Sequence, residues 1–174
     1  ANTGFGVQIV DSAANTIGGT TVATRNIISG NTQAGIVLTG DLSTGNKIYS
    51  NVIGADPAGT TAFGNGTHGI YLLDGASNNI IQGATGAPVI VSGNTNYGIL
   101  ISDTGTNTNT VTGSYIGLAQ GGVSKLPNGA DGVRIRDNAS NNVIGNATAG
   151  NVISGNTGYG ISIGRLDFGS ANTN

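Results

Sequence analysis

The stretch NYGILISDTGTNTNTVTGSYIG, residues 96–117, decides the fold. Ile99 and Ile101 flank a free position after Gly98, which is the period of a strand with one face buried. A turn over Asp103 to Asn107 follows, then two more short runs, Asn109–Gly113 and Tyr115–Gly117. The stretch therefore reads as a strand over Gly98–Ser102 and two further strands separated by tight corners. Its opening phrase recurs along the chain: NTGFGVQIV at 2–10, QAGIVLTG from Gln33, THGIYLLD from Thr67, ADGVRIRD from Ala130 and TGYGISIG from Thr157.

Aligned on the shared glycine, these phrases place Gly6, Gly35, Gly69, Gly98, Gly132 and Gly160 at intervals of 29, 34, 29, 34 and 28 residues. Short and long units alternate, giving a double repeat of about 63 residues, and fixed periods of roughly 20–50 residues mark solenoids, propellers and arrays. Several columns hold this register. The first and third residues after each glycine are always aliphatic, from Val7/Ile9 to Ile161/Ile163. Four residues before each glycine stand Asn2, Asn31, Asn65, Asn94, Asn128 and Asn156, without exception. A second asparagine column comprises Asn15, Asn46, Asn79, Asn109 and Asn142, with Asn172 in the matching place.

Identical residues returning once per unit, beside short β-branched strands and glycine-rich corners, predict an all-β fold without significant helix. It is a single right-handed parallel β-helix of about six coils, forming one domain over residues 1–174. Stacked strands lie ~4.8 Å apart, so aligned asparagines form ladders of amide hydrogen bonds, and the aliphatic columns fill a continuous core. Short coils close through NIISGN (26–31), VIVSGN (89–94) or NVISGN (151–156). Long coils insert ADPAGTTAFGNG (55–66) or LAQGGVSKLPNG (118–129), which share little sequence and read mainly as spacers.

Composition narrows the partners. Six basic and eight acidic residues leave a net charge of −2, too weak a field to recruit nucleic acid. No apolar run approaches a membrane span, and cysteine is absent, which excludes disulfides and thiolate chemistry. A start at Ala1 without methionine points to a mature or excised segment of a secreted protein.

The phrases NVISGN (151–156), YGISI (159–163) and ASNNVIG (139–145), with SYIGLAQGGVSKLPNGADGV (114–133), resemble the right-handed parallel β-helix repeats of large secreted or cell-surface bacterial proteins of the pectate-lyase-like superfamily. The likeness covers essentially the whole chain. It implies stalks or surface modules in some relatives and carbohydrate-active sites in others, so function has to be argued from residues.

Four carboxylates, Asp11, Asp74, Asp103 and Asp137, fall five residues after the anchoring glycine, where Gly40 and Arg165 occupy the other two coils. Aspartate at a strand end caps a turn, and that reading is preferred to a cation held between Asp74, Asp103 and Asp137. Arg134 and Arg136 beside Asp131 and Asp137 are the nearest approach to a lyase site, and surface ion pairing explains them as well. His68, the single histidine, shares a column with Phe5, Ala34, Tyr97, Asp131 and Tyr159 and reads as a corner side chain. No catalytic, cofactor or metal residue is assigned.

The outward column of the first strands carries Val37, Tyr71 and Leu100, with Leu73 nearby, as a candidate lateral contact. Coils without capping segments leave strand edges and apolar columns open at both ends of the stack. The expected function is a non-enzymatic structural unit of an extracellular fibre, stalk or surface matrix, associating with itself head to tail. The alternative is a domain that binds or cleaves polysaccharide, with a surface polysaccharide as partner. Ice binding would need regular threonine arrays, but Thr39 has no threonine in the same place on the neighbouring coils.

Overall fold

A computed structural model describes residues 2–164; Arg165 and Asn172 lie outside the described residues. The first coil contains β1 (Val7–Val10), β2 (Thr16–Gly18) and β3 (Ile27–Ile28), and the second contains β4 (Ile36–Thr39), β5 (Lys47–Tyr49) and β6 (Val52–Ile53). β7 (Ile70–Leu73), β8 (Ile80–Gln82) and β9 (Val89–Val91) make the third, and β10 (Ile99–Ile101), β11 (Thr110–Thr112) and β12 (Ser114–Ile116) the fourth. β13 (Val133–Ile135), β14 (Val143–Ile144) and β15 (Val152–Ile153) complete the fifth, after which β16 (Ile161–Ile163) opens another. Like strands stack in parallel into three sheets, β1-β4-β7-β10-β13-β16, β2-β5-β8-β11-β14 and β3-β6-β9-β12-β15. The result is an all-β parallel β-solenoid of about five turns, with one 3-10 turn at Val22–Thr24. Among the described residues no helix is long and apolar enough to cross a membrane.

The aliphatic columns pair in the expected register, Ile70 with Ile99 and Leu72 with Ile101, and all four side chains are fully buried. With Ile48, Ile81 and Val111 from the second sheet and Ile53, Val91 and Ile116 from the third, they form one core along the axis. Such stacking lets a glycine- and asparagine-rich chain bury enough apolar surface to offset backbone ordering.

Both asparagine columns form ladders. In the first, Nδ2 of Asn2 donates to Oδ1 of Asn31 at 2.7 Å, and the chain continues through Asn65, Asn94, Asn128 and Asn156 at 2.7, 2.8, 2.9 and 2.9 Å. In the second, Asn15, Asn46, Asn79, Asn109 and Asn142 connect at 2.9, 3.0, 3.1 and 3.0 Å. Every rung donates in the same direction. The buried amides are also tied to backbone: Asn94 Oδ1 accepts from the Asn65 N–H, and Asn94 Nδ2 reaches the Ile53 carbonyl. A third, broken column at the corner between the second and third sheets joins Asn26 to Asn51 and Ser114 to Asn151. Its asparagines open NII (26–28) and NVI (51–53, 151–153), a signal visible in the sequence but interrupted at Val89 and Ser114.

The long-coil insertions are more than spacers. Each is an antiparallel hairpin, with Ala55 bridging Ala62 and Leu118 bridging Lys125, laid against the outer face of the third sheet. Val52, Ala55, Ile90, Ala119 and Leu126 form a second apolar cluster there, and Ile90 is fully buried. The first hairpin touches three levels of the stack. The Phe63 carbonyl accepts from Gly30 N–H in the first coil at 2.9 Å, Gly59 lies over Ile90 in the third, and the Gly59 carbonyl accepts from Gln120 N–H of the second hairpin at 2.7 Å. Hairpins on adjacent coils would compete for this space, which gives the alternation of short and long units a steric cause. Their sequences differ because most of these bonds run between backbone groups.

Candidate functional site

The outer face of the first sheet is the candidate site, because it gathers the aromatic, charged and carboxylate residues that the sequence singles out. Near the N-terminal end it carries a groove of about 330 Å³, walled by Phe5, Val37, His68, Tyr71 and Leu73. Amide and hydroxyl groups of Gln8, Gln33, Thr39 and Thr67 line the rest, and no charged side chain takes part. Ala34 stands between the Phe5 and His68 levels of its column and is buried.

His68 is ordered by aromatic contacts. It stacks on Tyr97 with ring centroids 5.3 Å apart and planes at 14°, and it meets Tyr71 edge-on at 5.2 Å. Burial, aided by the positive charge of Arg136, lowers its pKa to about 4. The imidazole is therefore neutral at pH 7, and its Nδ1 is buried without a partner among the described residues. Of the residues read as a lateral contact, Val37 and Leu100 face outward but are 3% and 0% exposed. Leu100 lies between Tyr71 and Arg134 on the flanking strands. Tyr71 and Leu73 are the half-buried members, so the accessible apolar surface is narrower than the sequence column suggests and centres on the groove.

The charged residues of the fifth coil do not converge. Arg136 Nε pairs with Asp137 Oδ2 at 3.1 Å, while Arg134, 3% exposed, donates to the Gly164 carbonyl at 2.6 Å. Asp131 instead accepts from Tyr159 N–H and from the Ser162 hydroxyl. Each group has a local partner, while Arg134 Nη1 and Arg136 Nε are buried without a hydrogen bond among the described residues.

The aspartate column has a conformational explanation. Asp11, Asp74, Asp103 and Asp137 have φ of 45°, 52°, 79° and 52°, the left-handed region in which aspartate, asparagine and glycine are favoured; Gly40 takes the same place at 92°. Their carboxylates bond separately, Asp74 accepting from the Thr39 hydroxyl and Asp103 from Ser102. Among the described residues no group of three or more histidine or carboxylate side chains is placed to hold a metal ion. A parallel left-handed column, Ala14, Gly45, Asn78, Thr108 and Asn141, precedes the second asparagine ladder. Sequence reading missed it because those residue types differ.

A larger cavity of about 510 Å³ opens beside Gly83, Pro88, Gly113, Tyr115, Gln120 and Gly150. Five of its lining residues are glycines, and Tyr115 is its single aromatic ring. Comparison of the chain with protein-family models, curated proteins and solved structures found no match.

Proposed function

We propose that this chain is a non-enzymatic structural unit of an extracellular fibre, stalk or surface matrix, stacking lengthwise and head to tail on coils of its own kind. One observation carries the reading. Both continuous asparagine ladders donate from Nδ2 to Oδ1 in a single direction, so amide N–H groups face one end of the stack and amide oxygens the other. The top of such a stack complements the bottom of another and not itself, and contacts of that kind build filaments unless they close into rings. Placement outside the cell and the bacterial, pectate-lyase-like affiliation rest on the resemblance of the repeats. The non-enzymatic reading draws support from the separate local pairing of Asp131, Arg134, Arg136 and Asp137.

Sedimentation velocity over a wide concentration range, with electron microscopy of the concentrated sample, tests the proposal. Concentration-dependent filaments with ~4.8 Å axial spacing are expected; monomers at the highest concentration would overturn it. Pectin, alginate and related polymers should release no unsaturated or reducing sugar, with or without calcium.

The groove favours a second reading, binding of an uncharged carbohydrate. Its rings offer flat apolar faces for sugar C–H surfaces, and the glutamine and threonine groups suit hydroxyls. Titration of neutral oligosaccharides followed by NMR of the Tyr71 and His68 rings decides it: saturable shifts lost in Tyr71→Ala support binding, and unperturbed rings exclude it.

A further inference from the structure

Asn-X-Ser/Thr, the acceptor triplet for N-linked sugars, occurs three times: Asn65-Gly66-Thr67, Asn138-Ala139-Ser140 and Asn146-Ala147-Thr148. Such triplets arise readily in a chain rich in asparagine and threonine, so the fold decides which of them can serve. A usable acceptor exposes its Nδ2, holds the hydroxyl of the third residue against its amide, and can give up an N–H without breaking a bond that the fold needs.

Asn65 is fully buried, and its Nδ2 donates to Asn94 Oδ1 at 2.8 Å and to the Ile28 carbonyl at 3.1 Å, so a sugar there would remove a ladder rung. Asn138 is exposed, but its Nδ2 donates to Thr104 Oγ1 at 3.4 Å, and its amide receives no bond from Ser140 among the described residues. Asn146 meets all three conditions. Its Oδ1 accepts from Thr148 N–H at 3.0 Å, from the Thr148 hydroxyl at 2.9 Å and from Ala149 N–H at 2.8 Å, an Asx turn that fixes the carboxamide. Its Nδ2 makes no hydrogen bond among the described residues, and Asn146, Ala147 and Thr148 are all exposed.

This exposure belongs to the corner between the second and third sheets. Residues 146–149 bulge there, closed by Asn146 N–H to the Ala149 carbonyl at 3.1 Å. Residues 84–87 of the third coil form the same four-residue bulge, closed by Ala84 N–H to the Ala87 carbonyl at 2.9 Å, with a coil on either side. Thr85 and Gly86 at its tip nevertheless remain exposed. The second and fourth coils turn this corner tightly, at Ser50 and Asn51 and at Gly113, so no loop on an adjacent coil crowds a bulge.

We propose that Asn146 is an acceptor site for an N-linked sugar delivered from a glycosyl diphosphate, nucleotide-linked or lipid-linked. Asn146 Nδ2 bonds to the anomeric carbon of the sugar. The bond from that carbon to the diphosphate oxygen breaks, its electron pair leaves on the diphosphate, and Nδ2 gives up one proton to a base of the transferring enzyme. Asn146 Oδ1 keeps its three bonds throughout. The attached sugar projects from an edge of the rod and interrupts neither core nor ladder. The site goes beyond the stacking and groove readings and depends on neither.

The test uses the purified, folded chain in two arms: a soluble asparagine glycosyltransferase with UDP-glucose, and a detergent-solubilised oligosaccharyltransferase with a lipid diphosphate-linked oligosaccharide. Intact-mass measurement and peptide mapping should find one sugar or oligosaccharide per chain, on Asn146, in at least one arm, and the arm identifies the donor. Asn146→Gln and Thr148→Ala should lose the adduct and Thr148→Ser should retain it, with circular dichroism showing that each variant is folded. A chain left unmodified in both arms overturns the site. A sugar found on Asn65 or Asn138 instead, or an adduct that survives Thr148→Ala, overturns it equally.

Discussion

Asn94 Nδ2 donates to Asn128 Oδ1 at 2.9 Å while its own Oδ1 accepts both the backbone and side-chain N–H groups of Asn65. Removing this amide by Asn94→Ala strands buried groups on the coils above and below. A loss of about 1–3 kcal/mol is expected in a denaturant titration. Asn2→Ala, at the exposed start of the same ladder, should cost much less.

Ile101 is fully buried between Leu72 and Ile135 on the adjacent strands. Ile101→Asp places an unpaired carboxylate in the apolar column, a cost of several kcal/mol, and should abolish folding. Circular dichroism and melting checks this; a soluble variant with unchanged melting temperature would contradict the burial of this column.

Gly54 has φ of 91°, and a Cβ there would run into the Ser92 carbonyl and the Asn94 amide. Gly54→Ala therefore combines backbone strain, on the order of 1–3 kcal/mol, with a clash at the root of the first hairpin. Amide exchange should show the hairpin bond from Gly30 N–H opening more readily in this variant than in the native chain.

His68 gives stability a pH dependence of definite sign. Its folded pKa, about 4, lies below the ordinary histidine value of 6.5, so the folded state prefers the neutral ring. The His68 contribution is full above about pH 6.5 and is lost progressively as pH falls through 4, where the unfolded chain already holds the proton. Melting temperature followed between these limits should fall, and His68→Phe should flatten the part of the curve due to this residue.

The fold was legible where the same residue type recurs at the same offset. Ile70, Ile99 and Val133 announce the core, and Asn65, Asn94 and Asn128 the ladder, because stacking repeats one environment on every coil. The hairpins were not legible: Ser29 and Ser92 help to hold them, but on the hairpin side the bonds to those hydroxyls, to Gly30 and Gly93 and between the hairpins fall on backbone groups that any sequence carries. Exposure was also beyond reach: alternation correctly turns Val37 and Leu100 outward, but the bulk of neighbouring coils decides that they are covered. The groove combines Phe5, Val37 and Tyr71 from three coils, a juxtaposition that appears only after the register is known.

The reach of each hairpin from one short coil to the next has a consequence for inheritance. Losing or duplicating a single coil would bring two hairpins into collision or leave two unroofed coils side by side, whereas a pair can be added or removed without disturbing any contact type. Length in this solenoid is thus quantised: a gene encoding it can grow or shrink smoothly only in steps of two rungs, roughly 10 Å of rod at a time.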